Sequence, residues 1–303
     1  MDIAGAPPDS ALARTRSRRA PSRVTTIAGL ILGLLAAVAL TACKPGATPR
    51  KLDLKPFSFQ IKVEQSQYQI EGYLALALAP GELPALLILN GDKGDARACI
   101  ERDGQFTTMA IQVACISLPG YGHSSGPSRF VGPPSVAAAR YALDRLAARP
   151  DVDANRLALW GLGNGAVAAG LVMDSDTRPR AVILESGAYD MLKLWPEASL
   201  RTKLWILRQV WPSKRVLKER SVIANMPRKL DVSVLILHGE RDRKMPVEQA
   251  ERLAEVLRQR GAHVETYYFP HGHELGPRVD GPLRHFLRAN LVAIPTHEAD
   301  SPD

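Results

Sequence analysis

A chain of 303 residues, 46% hydrophobic and 23% charged, has the composition of an ordinary globular protein and is long enough for one large α/β core or two small ones. Its net charge of +8 is uneven: Arg14, Arg16, Arg18, Arg19 and Arg23 against Asp2 and Asp9 put +3 into Met1 to Ala42. The remaining excess is moderate and carries no basic and aromatic pattern of a nucleic-acid motif, which argues against nucleic acid and favours a phospholipid surface as the anionic neighbour.

Residues 1–42 combine a basic start, an apolar run from Val24 to Leu40, and the sequence Leu40-Thr41-Ala42-Cys43. This resembles a bacterial lipoprotein signal. The resemblance implies cleavage before Cys43, lipidation of that residue, and an envelope protein facing the periplasm. Lys44 after the cysteine, in place of aspartate, favours the outer membrane over the inner one. An uncleaved anchor is the plain alternative, since the apolar run is near the lower limit for spanning a bilayer. Residues 43–56 hold three prolines and read as a tether.

From Phe57 the pattern becomes that of a domain, extending to residue 292, with residues 293–303 as a disordered tail. Alternating apolar residues at Phe59, Ile61 and Val63, then Tyr68, Ile70 and Tyr73, predict two antiparallel strands. Pro84–Asn90, Ile111–Leu118, Arg156–Trp160, Ala181–Leu184, Val232–His238 and Val264–Phe269 are short apolar runs suited to buried parallel strands. Between them, residues 95–109, Pro134–Arg149 and Val247–Arg260 have helical patterns, the last with Pro246 before it and Gly261 after it. Strands alternating with helices predict a largely parallel sheet, helices on both faces. The expectation is an α/β fold with eight strands, plus a small helical cap over 191–231. Within it, Trp195 to Lys229 carries Trp195, Trp205 and Trp211 among nine basic residues and only Glu197 and Glu219. Tryptophan beside lysine and arginine suits a membrane interface; tryptophans packed onto the main domain are the plainer reading.

The stretch Arg156–Ala169, RLALWGLGNGAVAA, reads as a strand, a sharp turn and an alanine-rich helix. Its Gly161-Leu162-Gly163-Asn164-Gly165 has the spacing of the G-x-S-x-G nucleophile elbow, with Gly163 where serine would stand. Three further stretches share the order of the α/β-hydrolases: LILNGDKGD at 87–95, SLPGYGHSSGPS at 117–128, and LILHGERDRKMPVEQAERL at 235–253 followed by FPHGHELG at 269–276. Together they resemble the dienelactone hydrolase and prolyl oligopeptidase branch of that superfamily. The resemblance implies Asp242 as the acid and His273 as the base of a triad, with oxyanion donors from Gly91 or Asp92 and from Asn164. His271 competes with His273, and Glu185 is a second candidate acid.

With glycine at the elbow, covalent catalysis by the family route is lost, whereas a helix N-terminus and a histidine still make a carbonyl or anion pocket. The first expectation is a pseudo-hydrolase binding an ester, acyl or peptide ligand or a protein partner. The second is an enzyme that compensates through Ser124, Ser125 or a water activated by His273. The third is a non-catalytic envelope assembly protein. No zinc-like spacing of histidine and cysteine and no P-loop lysine occur, so neither metal nor nucleotide nor other cofactor is expected. Cys99 and Cys115 form either a disulfide or two buried thiols.

Overall fold

A computed structural model describes residues 52–91 and 95–292. The leader, Cys43, most of the tether, Asp92 and the 293–303 tail lie outside these residues. Among the described residues no helix is long and apolar enough to cross a membrane.

Eight strands form one sheet in the order β1-β2-β4-β3-β5-β6-β7-β8. They are β1 (Leu54–Val63), β2 (Ser66–Ala75), β3 (Leu83–Asn90), β4 (Gln112–Ser117), β5 (Val152–Leu162), β6 (Pro179–Glu185), β7 (Ser233–Gly239) and β8 (His263–Phe269). The first two are antiparallel to their neighbours, and every pair from β4 onward is parallel. The sheet begins three residues earlier than the proline-rich sequence suggests. Pro56 lies inside β1, opposite Tyr73, and β1 is an edge strand, where a missing N–H donor costs no ladder bond.

The central strands are buried on both faces, hence their unbroken apolar runs. Leu87, Leu89, Leu159, Val182, Leu184 and Ile236 face one core, shared with helices α2 (Pro133–Ala147), α3 (Asn164–Val172) and α8 (Glu248–Gln259). Leu86, Ile88, Trp160, Ile183 and Leu235 face the other, shared with α1 (Ala96–Asp103) and α9 (Asp280–Leu287). The helix expected over 95–109 passes at Gly104 into a 3-10 segment, Gly104–Met109. A side chain at Gly104 would meet Leu52 and Ala75. On this second face Cys99 of α1 and Cys115 of β4, both buried, are joined as a disulfide.

The cap is four short helices: α4 (Met191–Glu197), α5 (Leu200–Leu207), α6 (Lys214–Glu219) and α7 (Val222–Asn225). Asp190, Ser199 and Ser213 each accept a backbone N–H three residues on, satisfying the starts of α4, α5 and α6. The cap is held to the loop after β4. Trp205 packs edge-on against buried Phe130 with centroids 5.0 Å apart, Ser128 Oγ donates to Gln209, and Arg220 Nε donates to the Arg129 carbonyl. The tryptophans divide: Trp195 packs against the core, Trp205 is partly covered, and Trp211 is 78% exposed.

Candidate active site

At the end of β5 the chain turns sharply into α3 through Gly163, whose φ is 57° and ψ −115°. L-residues enter that region only under strain. The flanking glycines are steric necessities: a Cβ on Gly161 would lie 2.1 Å from the Gly165 oxygen, and one on Gly165 would lie 2.0 Å from the Leu89 oxygen. Gly91, after β3, is pressed against the start of α3 in the same way, with Gly165 N 2.6 Å from its notional Cβ. The elbow backbone is thus present in full, without a side chain at its centre. Asn164 opens α3, so its N–H belongs to the first turn, whose donors have no intrahelical acceptor. Its side chain donates to Tyr121 Oη at 2.5 Å.

The loops after β7 and β8 bring the predicted acid and base together. Gly239 permits this, since a Cβ there would lie 2.2 Å from the Gly272 oxygen, and Glu240 and Arg241 donate their N–H groups to Phe269 and His271. His273 Nδ1 lies 2.6 Å from Asp242 Oδ2. Asp242 Oδ1 accepts the N–H groups of Lys244 at 2.8 Å and Met245 at 2.9 Å. Burial pushes the Asp242 carboxyl up, but the bonds from His273 and from those N–H groups outweigh it and hold it below the ordinary aspartate value. An ionised Asp242 fixes Nδ1 of His273 as the protonated nitrogen and Nε2 as the basic one. Fully buried His238 bonds the Met245 carbonyl through Nε2 at 2.8 Å and braces the acid loop from beneath. Burial lowers its pKa and keeps it neutral. His273, not His271, is the partner of Asp242.

Glu185 does not serve as the triad acid. It is buried at the end of β6, its Oε2 has no hydrogen-bond partner, and burial, with the nearby charge of Asp103, pushes its carboxyl up to about 7. Ser186 follows at φ 52°, also buried, with an Oγ that has no hydrogen-bond partner. The sequence reading missed Ser186. Its only signal is position, one residue past an apolar strand and beside the elbow. Ser124 and Ser125 are excluded as compensating hydroxyls. Ser124 Oγ donates to the Ser117 carbonyl and accepts from Glu71 N–H, Ser125 Oγ accepts from Gln69 N–H, and neither serine lines the elbow cavities.

Two cavities meet at the elbow, of about 320 and about 640 Å³, and share Gly163, Ser186 and His273. Away from them, Glu71, Asp95 and His123 bring three possible metal-ligand atoms within 4.8 Å of one another. These side chains already have structural roles. Glu71 accepts from Ser117 Oγ and His123 N–H, and Asp95 caps α1 by accepting the Ala98 N–H.

The fold has counterparts among known proteins. Residues 136–282 match the model of the prolyl oligopeptidase family. The fold is that of an acetyl xylan esterase from Paenibacillus sp. R4, with a TM-score of 0.61 and 20% identity over 86% of this chain and 94% of that one. The chain has the α/β-hydrolase fold. The same fold is found in a puromycin-hydrolyzing peptidase of Mycobacterium tuberculosis, with a TM-score of 0.63 and 20% identity; the match covers 78% of this chain but only 39% of that one. In sequence the chain is 28% identical over 211 residues to the uncharacterized protein Rv2307c of the same organism, 69% of this chain and 70% of that one.

Proposed function

We propose that this protein of α/β-hydrolase fold is a pseudo-hydrolase, which binds a carbonyl ligand of ester, acyl or peptide type without forming a covalent intermediate. One observation carries the reading: an elbow backbone that only glycine adopts without strain and a complete Asp242–His273 pair line cavities shared with Gly163, which has no hydroxyl to activate. What the arrangement can still do is bind. The first turn of α3 offers backbone donors and the positive end of its dipole to a carbonyl oxygen. His273 Nε2 accepts a ligand N–H or O–H. The esterase and peptidase named above support this ligand class by likeness of fold. The leader supports a lipid anchor at Cys43 and a periplasm-facing site, with the outer membrane favoured.

The test is p-nitrophenyl butyrate presented to the full chain. The expected result is no turnover above a His273→Ala control, together with a melting temperature that rises with ester concentration, since only the folded state binds. Turnover that His273→Ala abolishes would overturn the reading. A second reading, an active hydrolase, is favoured by the buried, unpartnered hydroxyl of Ser186 at the junction of both cavities. In that case the turnover disappears in Ser186→Ala as well.

A further inference from the structure

The larger cavity at the elbow has Arg201, Arg243 and Lys244 in its wall and no acidic residue. Elsewhere cations are compensated: Arg220 of the cap is paired with Glu219 at 2.8 Å, and Arg252 of α8 with Asp190 at 2.7 Å. Among the described residues none of the three cavity cations has a carboxylate partner. Like charges gathered around one space repel, and an anion placed among them relieves the repulsion. Arginine with lysine suits a phosphate, which takes paired N–H donors from a guanidinium and a point charge from an ammonium.

Helix α5 forms one side of this cavity and has two faces. Arg201, Thr202 and Trp205 line the cavity, whereas Leu200, Leu204 and Leu207 are 74, 48 and 39% exposed. At 3.6 residues per turn the three leucines fall within about 60° of one another, and Arg201 lies roughly 60° beyond Leu204. An apolar stripe open to solvent therefore borders the basic wall, and no aspartate or glutamate occurs in Leu200–Leu207. A cavity of about 640 Å³ is of the size that encloses a drug-sized molecule. It takes a headgroup and an ester and leaves a long acyl chain outside, along the leucines. Neither a free phosphate nor a small neutral ester uses both features; an amphiphile with an anionic head does.

We propose that the ligand is an anionic acyl phospholipid drawn from a bilayer: its phosphate lies among Arg201, Arg243 and Lys244, its ester carbonyl reaches Gly163 and His273, and its acyl chain passes Trp205 to the leucines of α5. This rests on the reading of the site as a binder of carbonyl ligands, and narrows it to lipid esters.

The experiment is calorimetric titration of the full chain with four probes kept below their micelle concentrations: octanoyl lysophosphatidylglycerol, octanoyl lysophosphatidylcholine, monooctanoylglycerol and glycerophosphoglycerol. The first is expected to bind best. The cationic choline, loss of the phosphate, or loss of the acyl chain should each weaken binding by about tenfold or more. Arg243→Gln with Lys244→Gln, both exposed in the natural chain, should abolish the preference for lysophosphatidylglycerol over monooctanoylglycerol and leave the latter bound as before. Leu200→Ser with Leu204→Ser should weaken every octanoyl probe and leave glycerophosphoglycerol unchanged. Equal binding of lysophosphatidylglycerol and monooctanoylglycerol by the natural chain would overturn the proposal. So would equal binding of lysophosphatidylglycerol and glycerophosphoglycerol, which marks a site for phosphate alone. In either case a melting shift from p-nitrophenyl butyrate leaves the carbonyl-binding reading standing. No binding of any probe, together with no such shift, overturns both.

Discussion

Gly163 donates its N–H to the Glu185 carbonyl at 2.9 Å, so the elbow and the end of β6 are one unit. The residue that follows each, Asn164 and Ser186, is thereby aimed at the same space beside His273. Rebuilding the elbow hydroxyl should therefore restore chemistry. Gly163→Ser is expected to acquire p-nitrophenyl butyrate hydrolysis, and a further His273→Ala change to remove it. A serine at φ 57° and ψ −115° costs about 1–3 kcal/mol of backbone strain, so Gly163→Ser should also melt a few degrees lower. A Gly163→Ser chain that is folded and inert would show that more than the nucleophile has been lost.

The architecture and the acid–base pair were legible because each has a local signature. The parallel strands are apolar runs between turns, and Asp242 and His273 sit in glycine-bearing loops directly after β7 and β8. What was not legible depends on distant segments. Ser186 matters because β6 ends beside the elbow and its Oγ is buried without a partner, neither of which its neighbours in sequence reveal. The choice between a disulfide and two thiols at Cys99 and Cys115 turns on how α1 lies against β4. Pro56 looked like tether until β1 proved to be the edge of the sheet. Ser124 and Ser125 looked available until Glu71 and Gln69, far away in the chain, were found donating to them.

Glu185 makes stability depend on pH in a direction opposite to most carboxylates. Its folded value is raised from 4.5 to about 7, so the folded state holds a proton that the unfolded state releases. The associated stability is fully present below pH 4.5 and is lost as pH rises toward and through 7. Its full size is on the order of 3 kcal/mol. Glu185→Gln cannot ionise, so its melting temperature should gain on that of the natural chain between pH 5 and pH 8. A constant difference across that range would mean that Glu185 is ionised throughout.

The disulfide between Cys99 and Cys115 closes a segment with a sequence separation of 16. A loop of that length restricts the unfolded chain by about 3 kcal/mol. Replacing both cysteines by alanine should lower the denaturation midpoint accordingly and raise the slope, because the released unfolded chain exposes more surface. Both sulfurs are almost completely buried, so a reductant should act slowly on the native protein and quickly once it is unfolded. An unchanged midpoint in the double variant would mean that the two thiols do not pair in solution.

The outer side of the cap carries Leu200, Leu204, Leu207 and Trp211, exposed by 74, 48, 39 and 78%. Basic residues Arg201, Lys203, Arg208, Lys214 and Arg215 lie along the same stretch of chain. Apolar and aromatic side chains among lysines and arginines suit a helix lying in the headgroup region of an anionic bilayer. Protein lacking residues 1–43, and with them the proposed lipid anchor, should therefore still sediment with vesicles containing phosphatidylglycerol. Each basic residue near such a surface contributes about 1 kcal/mol, so reversing Lys214 and Arg215 to glutamate should weaken sedimentation by more than tenfold, and raised salt should weaken it too. Trp211→Ser separates the two contributions: it should reduce binding at every salt concentration. If neither change alters sedimentation, the exposed leucines do not face lipid.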